Sequence, residues 1–304
     1  MKIDLSVEVG SLKLANPIIA ASGTFGYGLE FAHLVDLNRL GGIVVKGLSL
    51  APINGAPAPR LCETPSGMLN AVGLQNVGVR AFVAEKLPNL RQFGSAVIAN
   101  VFGTSVEEYV EVIRILEDAE GLAAYELNIS CPNVKKGGMQ YGLDPGMTYE
   151  VVQASRKAAR RPLWVKLTPL VTDITAIARA AVEAGADALT VANTYPAMSV
   201  DVKTRKSRLG SLTGGLSGAA IRPLTLRLVN AVYQTVKVPL IGLGGVEGVE
   251  DVCEYLVVGA TAVQVGTASF ADPRAVVCLV DGLEGQCRRL SISKISNLRG
   301  SLEA

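Results

Sequence analysis

The chain opens on a short alternation. Leu5-Ser6-Val7-Glu8-Val9 and Leu12-Lys13-Leu14 flank Gly10-Ser11, which predicts a β-hairpin around a two-residue turn. The pattern then changes to short, continuous apolar runs. These are Pro17–Ala21, Gly42–Lys46, Ala96–Val101, Ala123–Ile129, Leu163–Leu167, Ala188–Ala192, Pro239–Leu243 and Ala262–Val265. Between them lie helical stretches: Val106–Ala119, Thr148–Arg160, Asp173–Ala184, Ala219–Gln234 and Val249–Val257, with a final helix over Arg274–Leu290. In the first, Val110, Ile113 and Leu116 mark an apolar face, with Glu107, Glu108, Glu111 and Arg114 opposite. Runs apolar on both faces and joined by helices predict a parallel sheet that is covered outside. Eight such strands close a (β/α)₈ TIM barrel, with the hairpin capping its bottom. A doubly wound open sheet is the alternative.

Two longer insertions interrupt this rhythm. Leu48–Asn76 is rich in Pro, Gly and Asn, and Asn133–Pro145 contains Lys135-Lys136-Gly137-Gly138. Both read as long loops over the barrel mouth, where lids and binding loops occur. No linker or low-complexity segment divides the 304 residues, so residues 1–304 are expected to form a single domain.

Composition narrows the class. The chain is 49% hydrophobic and 18% charged, which marks a folded globular protein. A net charge of +2 gives no global electrostatic case for nucleic acid or an anionic membrane. The one basic run, Lys203–Arg208, reads as a solvated loop or as a contact to an anionic ligand or partner. The five cysteines, Cys62, Cys131, Cys253, Cys278 and Cys287, contain no C-x-x-C pair, so neither a zinc ribbon nor an iron–sulfur cluster is expected on this chain. Cys253, Cys278 and Cys287 read as buried filler. The amino terminus runs directly into strand-like sequence without a secretory signal, and no apolar stretch has the length of a membrane span. A reduced, cytoplasmic protein is expected.

Candidate chemistry concentrates at strand ends. The run Ala123–Ile129 leads into Ser130-Cys131-Pro132-Asn133, which sets a thiol between Asn128 and Asn133. Carboxamides both donate and accept, as suits a planar ligand with carbonyl and ring N–H groups. Asn100 and Asn193 close other strands, and Asn70 lies in a long loop. The sole histidine, His33, falls in an early helix away from the strand ends. Cys131 is therefore the prime acid/base candidate. Lys46 and Lys166 each end an apolar run, where a charge is costly unless paired or used. Such a lysine serves as a Schiff-base nucleophile, as the cation beside a flavin, or as a rim residue with its head in water. The last two strands end in Gly244-Gly245 and Gly266-Thr267, and Gly214-Gly215-Leu216-Ser217-Gly218 precedes a helix. Glycines there fit a phosphate, on a substrate or on flavin mononucleotide, or else simple tight turns.

Together these motifs resemble the dihydroorotate dehydrogenases. The resemblance rests on Asn128–Asn133, Lys46-Gly47, Asn70–Asn76, Asn193-Thr194, Ala21–Gly26 and Thr213–Gly218, and it runs nearly the whole length. It implies an FMN enzyme that oxidises dihydroorotate to orotate in pyrimidine biosynthesis, with Cys131 taking the C5 proton while hydride leaves C6 for flavin N5. It further implies substrate contacts from Lys46, Asn70, Ala71, Val72, Gly73, Leu74, Asn128, Asn133, Asn193 and Thr194. FMN would be held by Ser22, Lys46, Gly47, Asn100, Asn128, Lys166, Ala192, Gly218, Gly244, Gly245, Gly266 and Thr267. A cysteine as base resembles the soluble class 1 enzymes. Val134–Gly138 and Val200–Arg205 resemble class 1B, the catalytic subunit of an NAD-linked heterotetramer built on a homodimer, whose partner subunit carries FAD and a [2Fe–2S] cluster. The rivals are a fumarate-dependent class 1A enzyme, a flavin-dependent tRNA dihydrouridine synthase, a Schiff-base aldolase and a non-catalytic binding protein.

Overall fold

A computed structural model describes residues 2–130 and 139–303. In chain order the strands are β1 (Val7–Val9), β2 (Leu12–Leu14), β3 (Ile18–Ala20), β4 (Gly42–Val44), β5 (Leu61–Thr64), β6 (Gly67–Asn70), β7 (Ala96–Val101), β8 (Ala124–Asn128), β9 (Leu163–Lys166), β10 (Ala188–Val191), β11 (Tyr195–Ala197), β12 (Val200–Asp201), β13 (Lys206–Ser207), β14 (Gly214–Ser217), β15 (Leu240–Leu243) and β16 (Ala262–Val265). The eight apolar runs are β3, β4, β7, β8, β9, β10, β15 and β16. They pair in parallel in that order, and β16 closes on β3. The result is a (β/α)₈ barrel. Its strands read as unbroken apolar segments because one face fills the barrel and the other packs under helices. Ile18, Ile19, Val44, Ile98, Ala124, Leu163, Val165, Leu189 and Val263 are all fully buried.

Helices at Val106–Glu117, Pro145–Ala158, Ile174–Glu183, Arg222–Tyr233, Val249–Val257 and Ala275–Arg289 lie between or after barrel strands. Side chains that satisfy the first backbone N–H groups fix several starts. Asp144 accepts from the Met147 N–H at 2.9 Å, and Asp173 from the Thr175 N–H at 2.9 Å. The first of these helices buries Tyr109, Val112, Ile113 and Leu116, so its seam lies one residue earlier than a face centred on Val110. The helix predicted from Ala219 begins as a 3₁₀ turn over Ala219–Ile221.

β1 and β2 form the antiparallel hairpin, in register Val7 with Leu14. Its turn lies at the barrel bottom. A Cβ on Gly10 would come 3.3 Å from Cβ of Asp187, the residue that leads into β10. His33 lies in an exposed turn rather than a helix. Leu48–Asn76 is not simply a loop. It contains the β5–β6 hairpin, which joins β14 and β11 in a four-stranded antiparallel sheet. The basic run Lys203–Arg208 starts in the turn between β12 and β13, and its charged side chains are exposed. Of the second insertion, Met139–Leu143 is helical, and Asn133–Gly138 lie outside the described residues. Cys278 is exposed, so it is not core filler, whereas Cys253 and Cys287 are buried. Burial pushes the Cys253 thiol up to about 11, which makes it unreactive. Among the described residues no helix is long and apolar enough to cross a membrane.

Candidate active site

A deep cleft opens where the barrel strands end, with a volume of about 1180 Å³ counting its open mouth. Ser22 follows β3. Lys46 and Gly47 follow β4. Asn128 ends β8 and Lys166 ends β9. Ala192, Asn193 and Thr194 follow β10, Gly244 and Gly245 follow β15, and Gly266 and Thr267 follow β16. The four-stranded sheet forms one wall. It supplies Asn70, Val72, Gly73 and Leu74 from beside β6 and Gly218 from the end of β14. All of these line the cleft.

Two expected site residues do not line it. Ala71 packs with Leu69 and Leu209 in a small separate cluster. Asn100 is wholly buried behind the lining, bonded to Asn128 and with its Oδ1 close to Gly47. Cys131 and Asn133 lie outside the described residues. The cleft also contains Leu61, Met68, Ile221 and Phe270, which sequence reasoning passed over. Isolated apolar residues in segments without period carry no signal that they face a ligand.

The carboxamides are held in place by named bonds. Asn70 Nδ2 donates to the Gly215 carbonyl at 3.1 Å, across the β6–β14 pair. Asn193 Nδ2 donates to both the carbonyl (3.1 Å) and Oγ (3.0 Å) of Ser130. Ser130 Oγ donates to Asn128 Oδ1 at 3.2 Å, and Tyr109 Oη donates to the Asn128 carbonyl at 2.8 Å. Ser130, the residue before Cys131, is therefore tied to two amides that face the cleft.

The two lysines differ in environment. Lys166 is 5% exposed, and among the described residues its side chain makes no ion pair or hydrogen bond. A buried cation of this kind calls for an electron-rich ligand group. Lys46 is half-buried. Burial pushes its pKa below the ordinary 10.5; Glu30 opposes the shift and Arg60 adds to it.

The other end of the cleft is built from backbone. Gly245 has φ +70°, and a Cβ there would sit 2.8 Å from the Gly218 carbonyl oxygen and 2.8 Å from Cβ of Arg222. Only glycine lets these two loops close on each other. Thr267 Oγ1 donates to Ser217 Oγ at 2.8 Å, which ties the end of β16 to the end of β14. Tyr255 Oη donates to the Gly244 carbonyl at 2.5 Å. Beside Gly218 begin the 3₁₀ turn and the Arg222–Tyr233 helix, whose first backbone N–H groups favour an anion. Arg222 is itself occupied by Asp251 (2.5 Å) and Glu254 (3.2 Å), so it braces the loop. A glycine-built anion end and a buried unpaired lysine at one cleft suit a ring cofactor that carries a phosphate.

Fold and site thus define a TIM-barrel protein with its candidate active cleft at the carboxyl ends of its strands. Comparison with known sequences carries this further. The family profile described as dihydroorotate dehydrogenase matches residues 4–286, and the chain belongs to that family, the oxidoreductases of pyrimidine synthesis. It is 51% identical over 301 residues to a protein of Geotalea uraniireducens named dihydroorotate dehydrogenase B (NAD(+)), catalytic subunit, which covers 99% of both chains. It is 52% identical over 303 residues to the protein of that name from Trichlorobacter lovleyi, across the whole of both chains. It is equally 52% identical, over 303 residues and the whole of both chains, to a Solibacter usitatus protein named putative dihydroorotate dehydrogenase A (fumarate). Among solved structures, that of DHODH from Eimeria tenella in complex with ferulenol superimposes with a TM-score of 0.84. It covers 98% of this chain and 88% of that one at 21% identity, which establishes the shared fold.

Proposed function

We propose that residues 1–304 act as one FMN-binding domain that oxidises (S)-dihydroorotate to orotate. The observation that carries this reading is the convergence of Asn70, Asn128, Asn193, Lys46 and Lys166 on one cleft with a glycine-built anion end. The substrate is a cyclic amide bearing a carboxylate. Lys46 holds the carboxylate by charge. Asn70, Asn128, Asn133, Asn193 and Thr194 match the ring N–H and carbonyl groups, and backbone from Val72 to Leu74 closes over them. Cys131 takes the proton from C5 as the C5=C6 double bond forms. FMN, when bound, supplies the two-electron acceptor that takes hydride from C6. Ser22, Gly47, Ala192, Gly218, Gly244, Gly245, Gly266 and Thr267 hold it, with Asn100 positioning Asn128 and Lys166 offsetting negative charge that gathers on the ring. Closing a cleft that excludes water strengthens each of these contacts.

The test is anaerobic mixing with dihydroorotate while the flavin absorption band is followed. Rapid bleaching is expected in the wild type. In Cys131→Ala it should slow by about 10²–10⁴-fold, the usual contribution of a positioned base, with orotate affinity kept. A flavin that stays oxidised would refute the assignment.

For electron exit, class 1B is the reading we favour. The chain forms the homodimeric core of a cytoplasmic heterotetramer, and electrons pass through a subunit carrying FAD and [2Fe–2S] to NAD⁺. The relatives named catalytic subunits support it, together with the residues that resemble that subclass. The equally similar Solibacter protein supports a fumarate-linked enzyme instead. Turnover with fumarate alone would decide for the second reading. Turnover with NAD⁺ that requires a co-purifying flavo-iron–sulfur subunit would decide for the first.

A further inference from the structure

Beneath the cleft lies a buried acidic group that the proposed chemistry does not use. Glu126 on β8 is fully buried. Three donors from three other barrel strands converge on it. Asn100 Nδ2 (β7) reaches Oε1 at 2.8 Å, Thr190 Oγ1 (β10) reaches Oε2 at 2.8 Å, and Gln264 Nε2 (β16) also donates to Oε2. Asn100, Thr190 and Gln264 are themselves fully buried. A carboxylate only accepts hydrogen bonds, so it forces both amides to turn their NH₂ groups toward it. Gln264 obeys at a cost, since its Oε1 is left buried without a partner among the described residues.

The forced orientation propagates. With Nδ2 committed to Glu126, Asn100 turns Oδ1 toward Asn128, which must present Nδ2 (3.3 Å). Asn128 then turns Oδ1 to Ser130, whose hydroxyl donates to it (3.2 Å) and accepts from Asn193 Nδ2 (3.0 Å). A one-way relay of donors thus runs Asn193 → Ser130 → Asn128 → Asn100 → Glu126. At its outer end, Asn193 Nδ2 is occupied by Ser130, and its Oδ1, which already accepts from the Thr194 backbone N–H at 2.8 Å, keeps one lone pair for a ligand N–H. Without the carboxylate, Asn100 and Asn128 could flip together, whereas Asn193 is held by the Ser130 carbonyl and the Thr194 N–H.

We propose that Glu126 is a positioning residue: its carboxylate sets the direction of this relay and so fixes which atoms of Asn128 face the ring amides of the substrate. The inference rests on the dihydroorotate reading above. It assigns Glu126 no contact with substrate.

The test uses the FMN-loaded protein. Glu126→Gln keeps the shape but adds a donor, so the relay loses its fixed sense. Orotate affinity is read from the perturbation of the flavin spectrum and expressed per bound flavin, with FMN content and Tm measured in parallel. The expected result is at least a tenfold rise in orotate Kd and a matching rise in KM for dihydroorotate. A purely structural role would lower Tm or FMN content and leave affinity per flavin unchanged. Ser130→Ala cuts the same relay nearer the mouth. The double variant should bind orotate no worse than the weaker single variant, whereas independent sites would multiply their effects. If Glu126→Gln does not fold, Asn100→Leu breaks the middle link with two of the three bonds to Glu126 kept, and the same rise in Kd is expected. Unchanged affinity in the folded variants, or multiplicative losses, would overturn the relay. A wild-type flavin that orotate does not perturb and dihydroorotate does not bleach would overturn the reading on which it rests.

Discussion

Replacing Lys166 with methionine should make the FMN-free protein more stable and the enzyme slower. The side chain is 5% exposed and, among the described residues, has neither an ion pair nor a hydrogen bond. A buried charge without a partner bears a desolvation penalty of several kcal/mol, which an apolar side chain of similar volume avoids. A gain of about 2 kcal/mol corresponds to a rise in Tm of about 4 °C, at about 2 °C per kcal/mol for a chain of this length. The kinetic effect has the opposite sign. A unit charge about 4 Å from a developing charge, at an effective dielectric constant near 20, contributes about 4 kcal/mol. If water and neighbouring dipoles replace half of that, about 2 kcal/mol is lost, which slows flavin reduction about 30-fold. Differential scanning of FMN-stripped protein gives the first quantity, and anaerobic stopped-flow with dihydroorotate gives the second. Stripped Lys166→Met that melts below the wild type, together with reduction at the wild-type rate, would refute the view of Lys166 as a cation kept for a ligand.

Two further outcomes follow from the same site. Burial lowers the pKa of Lys46 from 10.5, so the unfolded chain binds more protons in the window between the lowered value and 10.5, and stability rises with pH there. The cation that holds the substrate carboxylate is complete below that window and is lost through it. KM for dihydroorotate should therefore climb before pH 10.5 in the wild type and later in Lys46→Arg; a flat KM across this range would contradict the role. Gly245→Ala must bear a left-handed φ of +70°, about 1–2 kcal/mol for an L-residue, and a Cβ 2.8 Å from a backbone oxygen. FMN bound per chain should fall about tenfold with the barrel's circular dichroism kept, and full flavin content would show that this loop does not hold the cofactor.

Much of the site was legible because strand ends and chemistry coincide. Lys46, Asn128, Lys166, Asn193, Gly244 and Gly266 each sit at or just past the end of an apolar run, and closure of the barrel brings those ends together. Ala71 lies between two cleft-facing neighbours, but its side chain packs on Leu69 and Leu209, a turn of the chain that no pattern in the sequence marks. Glu126 stood in plain view as a charge inside an apolar strand. Its meaning depends on Asn100, Thr190 and Gln264, which lie 26, 64 and 138 residues away.

Sequence alone determined the eight barrel strands and their order, because a strand buried on both faces must be continuously apolar and a parallel neighbour requires a long crossover, most often a helix. Tertiary structure decided the wall of the cleft. β5, β6, β11 and β14 are short and rich in Gly and polar residues, without a period of two, and β6 and β14 are joined by bonds such as Asn70 to Gly215, 145 positions apart. Pairing of that kind has no local cause. The barrel brings these loops to one end, where their backbone groups satisfy each other.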